Sequence, residues 1–113
     1  MNRPLNDWAN DHSLFHRLRD SVQKMMRSKG KFNDRASYAI ERLRPITTSN
    51  FPSDLAPTFE TFRRLAEKSV WYGPLSPVLS PGGLTSKERQ VFGDALLTLY
   101  DAMSKERVRQ NID

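Results

Sequence analysis

An all-α fold is predicted for this chain: a four-helix bundle or a looser orthogonal array, with a long Pro/Gly-rich loop between the third and fourth helices. Three observations predict it. Apolar residues recur every three or four positions in four separate stretches. Capping residues and helix breakers stand at the ends of those stretches. No stretch alternates apolar and polar residues as a half-buried strand does, and no segment repeats. The 113 residues suit one domain with one core, spanning 1–113.

Residues 1–10 read as an N-terminal extension in which Trp8 can fold back onto the first helix. That helix is expected from about Asp11 to Lys29. Leu14, Phe15, Leu18, Val22, Met25 and Met26 form its apolar stripe, and Asp11 is a natural N-cap. Gly30 stands where a left-handed residue commonly closes a helix. The second helix is expected to start near Asn33 or Asp34 and to stop before Pro45, which disfavours helical geometry at Arg44. Its face is Ala36, Ala39, Ile40 and Leu43, with Phe32 just outside the cap as a hydrophobic staple.

The third helix is expected from Ser53 or Asp54, with Pro57 in its first turn, where a missing N–H costs little. Leu55, Phe59, Phe62, Leu65, Ala66, Ser69 and Val70 line one side, and Gly73 and Pro74 stop it. Residues 74–84 form the Pro/Gly-rich loop, whose Leu75, Val78 and Leu79 are apolar enough to pack onto the bundle. The fourth helix opens on Thr85 and Glu88 in capping-box spacing. Phe92, Ala95, Leu96, Leu99, Tyr100 and Met103 form its core face. Residues 108–113 are expected to fray.

The chain carries 18 basic and 13 acidic residues. Nine of the cations lie between residues 17 and 44 with only three anions, Asp20, Asp34 and Glu41, so the rest of the chain is close to neutral. A local excess of this kind creates a potential that steers anionic partners. Arg17, Lys24, Arg27, Lys29, Lys31, Arg35 and Arg42 are the candidate contacts to nucleic acid or to an acidic protein surface. Lysines and arginines on one ridge neutralise several phosphates at once.

Composition and spacing argue against several other classes. There is no cysteine, hence no disulfide, thiolate zinc site or cysteine nucleophile. No run of apolar residues is long enough for a membrane span, and the N-terminus has no signal-peptide core. A cytoplasmic location is the expectation. His12 and His16, with Asp20, lie four apart and share a helix face at metal-ligand spacing, a weak candidate because the chain has no third histidine. Pro81, Gly82 and Gly83 precede a helix but lack the glycine spacing of a phosphate cradle. No nucleophile stands near a base, so the chain reads as no enzyme, with no cofactor.

A second surface is Arg64, Lys68, Trp71 and Tyr72, where aromatic and arginine side chains combine as in interface hot spots. Gly93 and Leu97 form a row off the core face of the fourth helix. A mid-helix glycine there costs roughly 1 kcal/mol against alanine, which close approach of another element, such as a second copy, would explain. The sequence therefore points to a small non-enzymatic binding protein, foremost for nucleic acid or a nucleoprotein. The alternative is an adaptor or inhibitor that docks on an acidic protein through Trp71 and Tyr72.

Overall fold

The long helices are built from the stripes the sequence carries, except that Met26, expected in the α2 stripe, is 65% exposed. The structure is a computed structural model describing residues 2–27, 29–69 and 84–112. Among these residues the elements are α1 (Leu5–Ala9), α2 (His12–Arg27), α3 (Phe32–Arg42), a short 3-10 turn (Thr48–Asn50), α4 (Ala56–Ser69) and α5 (Ser86–Arg109). No strand occurs among the described residues, and none of their helices is long and apolar enough to cross a membrane.

The carboxylate of Asp11 accepts the Leu14 N–H at 2.9 Å and caps α2 as expected. Leu14, Leu18, Val22 and Met25 then point into the core. The end of α2 differs from expectation. The helix stops at Arg27, and no described glycine has a positive φ, so Gly30 is not a left-handed cap.

Helix α3 begins two or three residues earlier than its polar residues suggest. Lys31 is the N-cap and Phe32 the first helical residue, not a staple outside it. The reason is tertiary: the Phe32 ring meets Phe92 of α5 edge-on at 5.7 Å and carries the Arg89 guanidinium at 5.0 Å. Packing gains of this size outweigh the preference for Asn or Asp at a cap.

Helix α3 runs antiparallel to α2. The cross-links pair Arg17 with Arg42, Lys24 with Tyr38 and Met25 with Arg35, so partner numbers fall as α2 numbers rise. Helix α5 lies between α2 and α4 and packs on both. Its N-terminus is the expected capping box: the Glu88 N–H donates to Thr85 Oγ1 at 3.1 Å, and the Thr85 N–H to Glu88 Oε1 at 2.9 Å. Phe92, Ala95, Leu96, Leu99 and Met103 are buried against Phe59, Phe62 and Ala66 of α4 and the α2 stripe.

Both ends of the described chain form local structure. The first ten residues contain α1, whose Trp8 is 1% exposed, and the Arg3 N–H reaches the Phe51 carbonyl at 3.1 Å. Residues after Val108 close α5. Asn111 is left-handed (φ 57°), its N–H bonds the Val108 carbonyl, and the Ile112 N–H bonds the Arg107 carbonyl at 2.8 Å. These are the paired bonds of a Schellman motif.

The expected packing of Leu75, Val78 and Leu79, the stop at Gly73 and Pro74, and the turn at Pro81, Gly82 and Gly83 lie outside the described residues.

Candidate functional site

The nine cations of residues 17–44 divide into two groups. Five have partners on the protein. Arg17 donates to the Arg42 carbonyl at 2.6 Å and Arg35 to the Met25 carbonyl at 2.5 Å. Each thereby satisfies a C-terminal carbonyl that has no partner within its own helix and places a cation at the negative end of the helix dipole. Arg42 and Arg19 both reach Asp20, at 2.8 and 3.4 Å. Arg44 pairs with Glu41 at 2.7 Å.

Asp20 is held below the ordinary aspartate value of 3.8, chiefly by the Arg42 hydrogen bond, with Arg19 assisting against partial desolvation. It is therefore ionised at neutral pH. Its charge is balanced by two arginines.

The second group is Lys24, Arg27, Lys29 and Lys31. None of the four has an ion pair among the described residues, and Arg27, Lys29 and Lys31 are exposed. They follow one another around the corner where α2 ends and α3 begins. Lys24 and Arg27 also sit in the last turn of α2, where their charge offsets the helix dipole. That structural role leaves their outward N–H groups unsatisfied by protein.

Packing adds a cation that sequence order hides. Arg89 of α5 lies over Phe32, the residue after Lys31, and the guanidinium of Arg35 approaches the same ring at 6.0 Å. Arg89 is exposed, and it too has no ion pair among the described residues.

Between α2 and α3 the corner opens into a cleft of about 430 Å³ lined by Asp20, Gln23, Lys24, Arg27 and Tyr38. The four α2 residues share one face because they are spaced three and four apart. Tyr38 supplies the α3 wall, is 40% exposed, and carries the Lys24 ammonium 5.5 Å from its ring centre. A cation over an exposed ring is worth about 0.5–1 kcal/mol, so this contact positions Lys24 without locking it. Tyr38, Gln23 and Arg89 were absent from the residues singled out by sequence. Tyr38 at i+3 from Arg35 and i−4 from Arg42 was the available signal: it belongs to the basic face of α3.

The other candidate residues are dispersed. His12 Nδ1 lies 3.2 Å from the Arg107 guanidinium, which faces it with positive charge, and Asp20 is taken by its arginines. His16 stands edge-on to Phe15. Among the described residues no three His, Asp or Glu side chains come together as metal ligands. Arg64 pairs with Glu60 at 3.4 Å and Lys68 with Glu88 at 2.5 Å, while Trp71 and Tyr72 lie outside the described residues. A methyl group built on Gly93 meets no atom within 4 Å outside its own helix backbone, so no close approach among the described residues accounts for that glycine. Leu97 is 41% exposed.

A second, more apolar groove of about 520 Å³ lies between α3 and α4. Leu43, Phe59, Phe62 and Ala66 form its floor and Arg44, Arg63 and Glu67 its rim. The rim cations are paired, Arg44 with Glu41 and Arg63 with Glu60 at 3.2 Å.

Comparison of the chain with protein-family models, with curated proteins and with solved structures finds no match.

Proposed function

We propose that this is a small non-enzymatic binding protein that takes a polyanion, foremost nucleic acid, on the corner formed by the end of α2 and the start of α3. The observation that carries this reading is the group of four cations, Lys24, Arg27, Lys29 and Lys31, with no carboxylate partner among the described residues. Almost every other cation whose pairing is described is tied to a carbonyl or a carboxylate. Unpaired basic groups on one convex corner face the counterion atmosphere of a phosphate chain, and releasing that atmosphere drives association. Arg89 extends the same surface. The footprint is smaller than the seven residues expected from sequence, because Arg17, Arg35 and Arg42 already have partners.

Fluorescence anisotropy with labelled single-stranded DNA, duplex DNA and RNA, titrated across salt concentrations, tests the reading. Micromolar binding whose logarithm falls linearly with the logarithm of salt is expected. No binding to any of the three at low salt would refute it and favour the protein-docking alternative. For that alternative the α3–α4 groove is the relevant surface, since its apolar floor suits side chains of a partner.

A further inference from the structure

We infer that the α2–α3 cleft receives an unstacked base, so that the nucleic acid bound at this corner is single-stranded; this deepens the function proposed above and rests on it. The inference comes from what lines the cleft. A purely electrostatic surface needs only cations. Here an exposed aromatic ring, Tyr38, forms one wall. The amide of Gln23 stands opposite on α2, exposed and able both to donate and to accept. The cleft is shallow and open to solvent, so a base can reach the Tyr38 ring from outside.

The cleft is also polar along its length. At one end the carboxylate of Asp20 is held ionised between Arg42 and Arg19, an acceptor that repels phosphate and favours the amino or ring N–H edge of a base. At the other end Arg27 opens toward Lys29 and Lys31, where no anion but Asp34 stands nearby in the chain. A base therefore enters toward Asp20 with its phosphates lying toward Arg27. Lys24 now rests over the Tyr38 ring at 5.5 Å. Stacking of a base on a ring is the stronger contact, so the base displaces the ammonium and frees it for a phosphate. Duplex DNA, whose bases are already stacked and paired, has no face to offer Tyr38.

The test compares three labelled probes of equal length: an oligothymidylate, the same phosphodiester chain without bases and so of equal charge, and a duplex, which carries two phosphates per step. The oligothymidylate should bind about tenfold tighter than the abasic chain, the range seen when a stacking residue is removed. Tyr38→Ala should erase that difference, while Tyr38→Phe should keep it. Because Tyr38 lies at the surface, thermal melting should show all variants folded. Equal affinity for the oligothymidylate and the abasic chain would overturn the inference and leave the proposed polyanion binding intact. The same holds if Tyr38→Ala preserves the difference. Failure of all three probes to bind would overturn both.

Discussion

The division of the basic residues into tied and untied groups makes a quantitative prediction about salt. On a single strand each contacted phosphate contributes a slope of about −0.7 to the dependence of log affinity on log salt. Four contacts through Lys24, Arg27, Lys29 and Lys31 give a slope of roughly −2.8, and Arg89 as a fifth would bring it to about −3.5. With four contacts, affinity should fall about fiftyfold between 50 and 200 mM salt. Lys29→Ala should remove one contact, lower the slope by about 0.7 and shrink that fall to about twentyfold. Arg44→Ala is the matched control. Its side chain is 63% exposed, and it changes net charge by the same amount, but its guanidinium is paired with Glu41. It should leave the slope unchanged. Anisotropy titrations at five or six salt concentrations read both variants directly. If Arg44→Ala and Lys29→Ala flatten the slope equally, only net charge matters and the partition by pairing is wrong.

Three further predictions concern the scaffold that holds the corner. Trp8→Ala should cost about 3–5 kcal/mol in urea unfolding, because a side chain 1% exposed leaves a large cavity where α1 packs on α5; a loss below about 1 kcal/mol would mean α1 is not part of the core. Thr85→Ala should cost about 1 kcal/mol by removing the acceptor of the Glu88 N–H, read as a lower thermal midpoint with binding unchanged. Acid should destabilise the fold through Asp11 and Asp20. Both have lowered values, Asp11 because bonds from Arg3 and from the Leu14 and Ser13 N–H groups outweigh its desolvation, and Asp20 chiefly through Arg42. Their contribution is therefore fully present above the ordinary value of 3.8 and is lost as pH falls through the lower folded values. Thermal midpoints between pH 6 and pH 2 should drop less steeply in Asp11→Asn than in the parent chain. Identical profiles would remove Asp11 from the account.

What could be read from the sequence was local. Asp11 three residues before Leu14, and Thr85 three before Glu88, are caps because the chain brings donor and acceptor together within one turn, whatever the rest of the protein does. The apolar stripes of α2, α4 and α5 follow from spacing alone. What could not be read depends on which surfaces meet. Phe32 looks like a staple beside Asn33 and Asp34, and only the arrival of Phe92 and Arg89 from α5 makes it the first residue of α3. Trp8 looks like part of an extension until Arg107, itself buried, donates to the Ala9 carbonyl at 2.8 Å and fastens α1 to α5. Asn111 is a local signal of the same kind as the caps, because asparagine tolerates the left-handed geometry that closes a helix.

The basic stretch lies between these two cases. Which carbonyl an arginine will meet cannot be read from spacing, since the partners of Arg17 and Arg35 lie on the opposite helix. Which kind of cation will be retained inside was nonetheless written in the residue types. The five tied cations, Arg17, Arg19, Arg35, Arg42 and Arg44, are all arginines, and three of the four untied ones are lysines. A guanidinium is weakly hydrated and presents several N–H groups in one plane, so it can satisfy carbonyls and carboxylates while half-buried. An ammonium keeps its water and stays at the surface. Arg27 is the arginine that breaks the rule. At the open end of the cleft it has a planar fork and no carboxylate to receive it, the geometry that a phosphate fits with two parallel hydrogen bonds. The sorting of arginine from lysine thus separates the tied charges, of which Arg17, Arg35 and Arg42 bridge α2 and α3, from the four that the proposed polyanion would meet, and among these Arg27 alone has the planar fork.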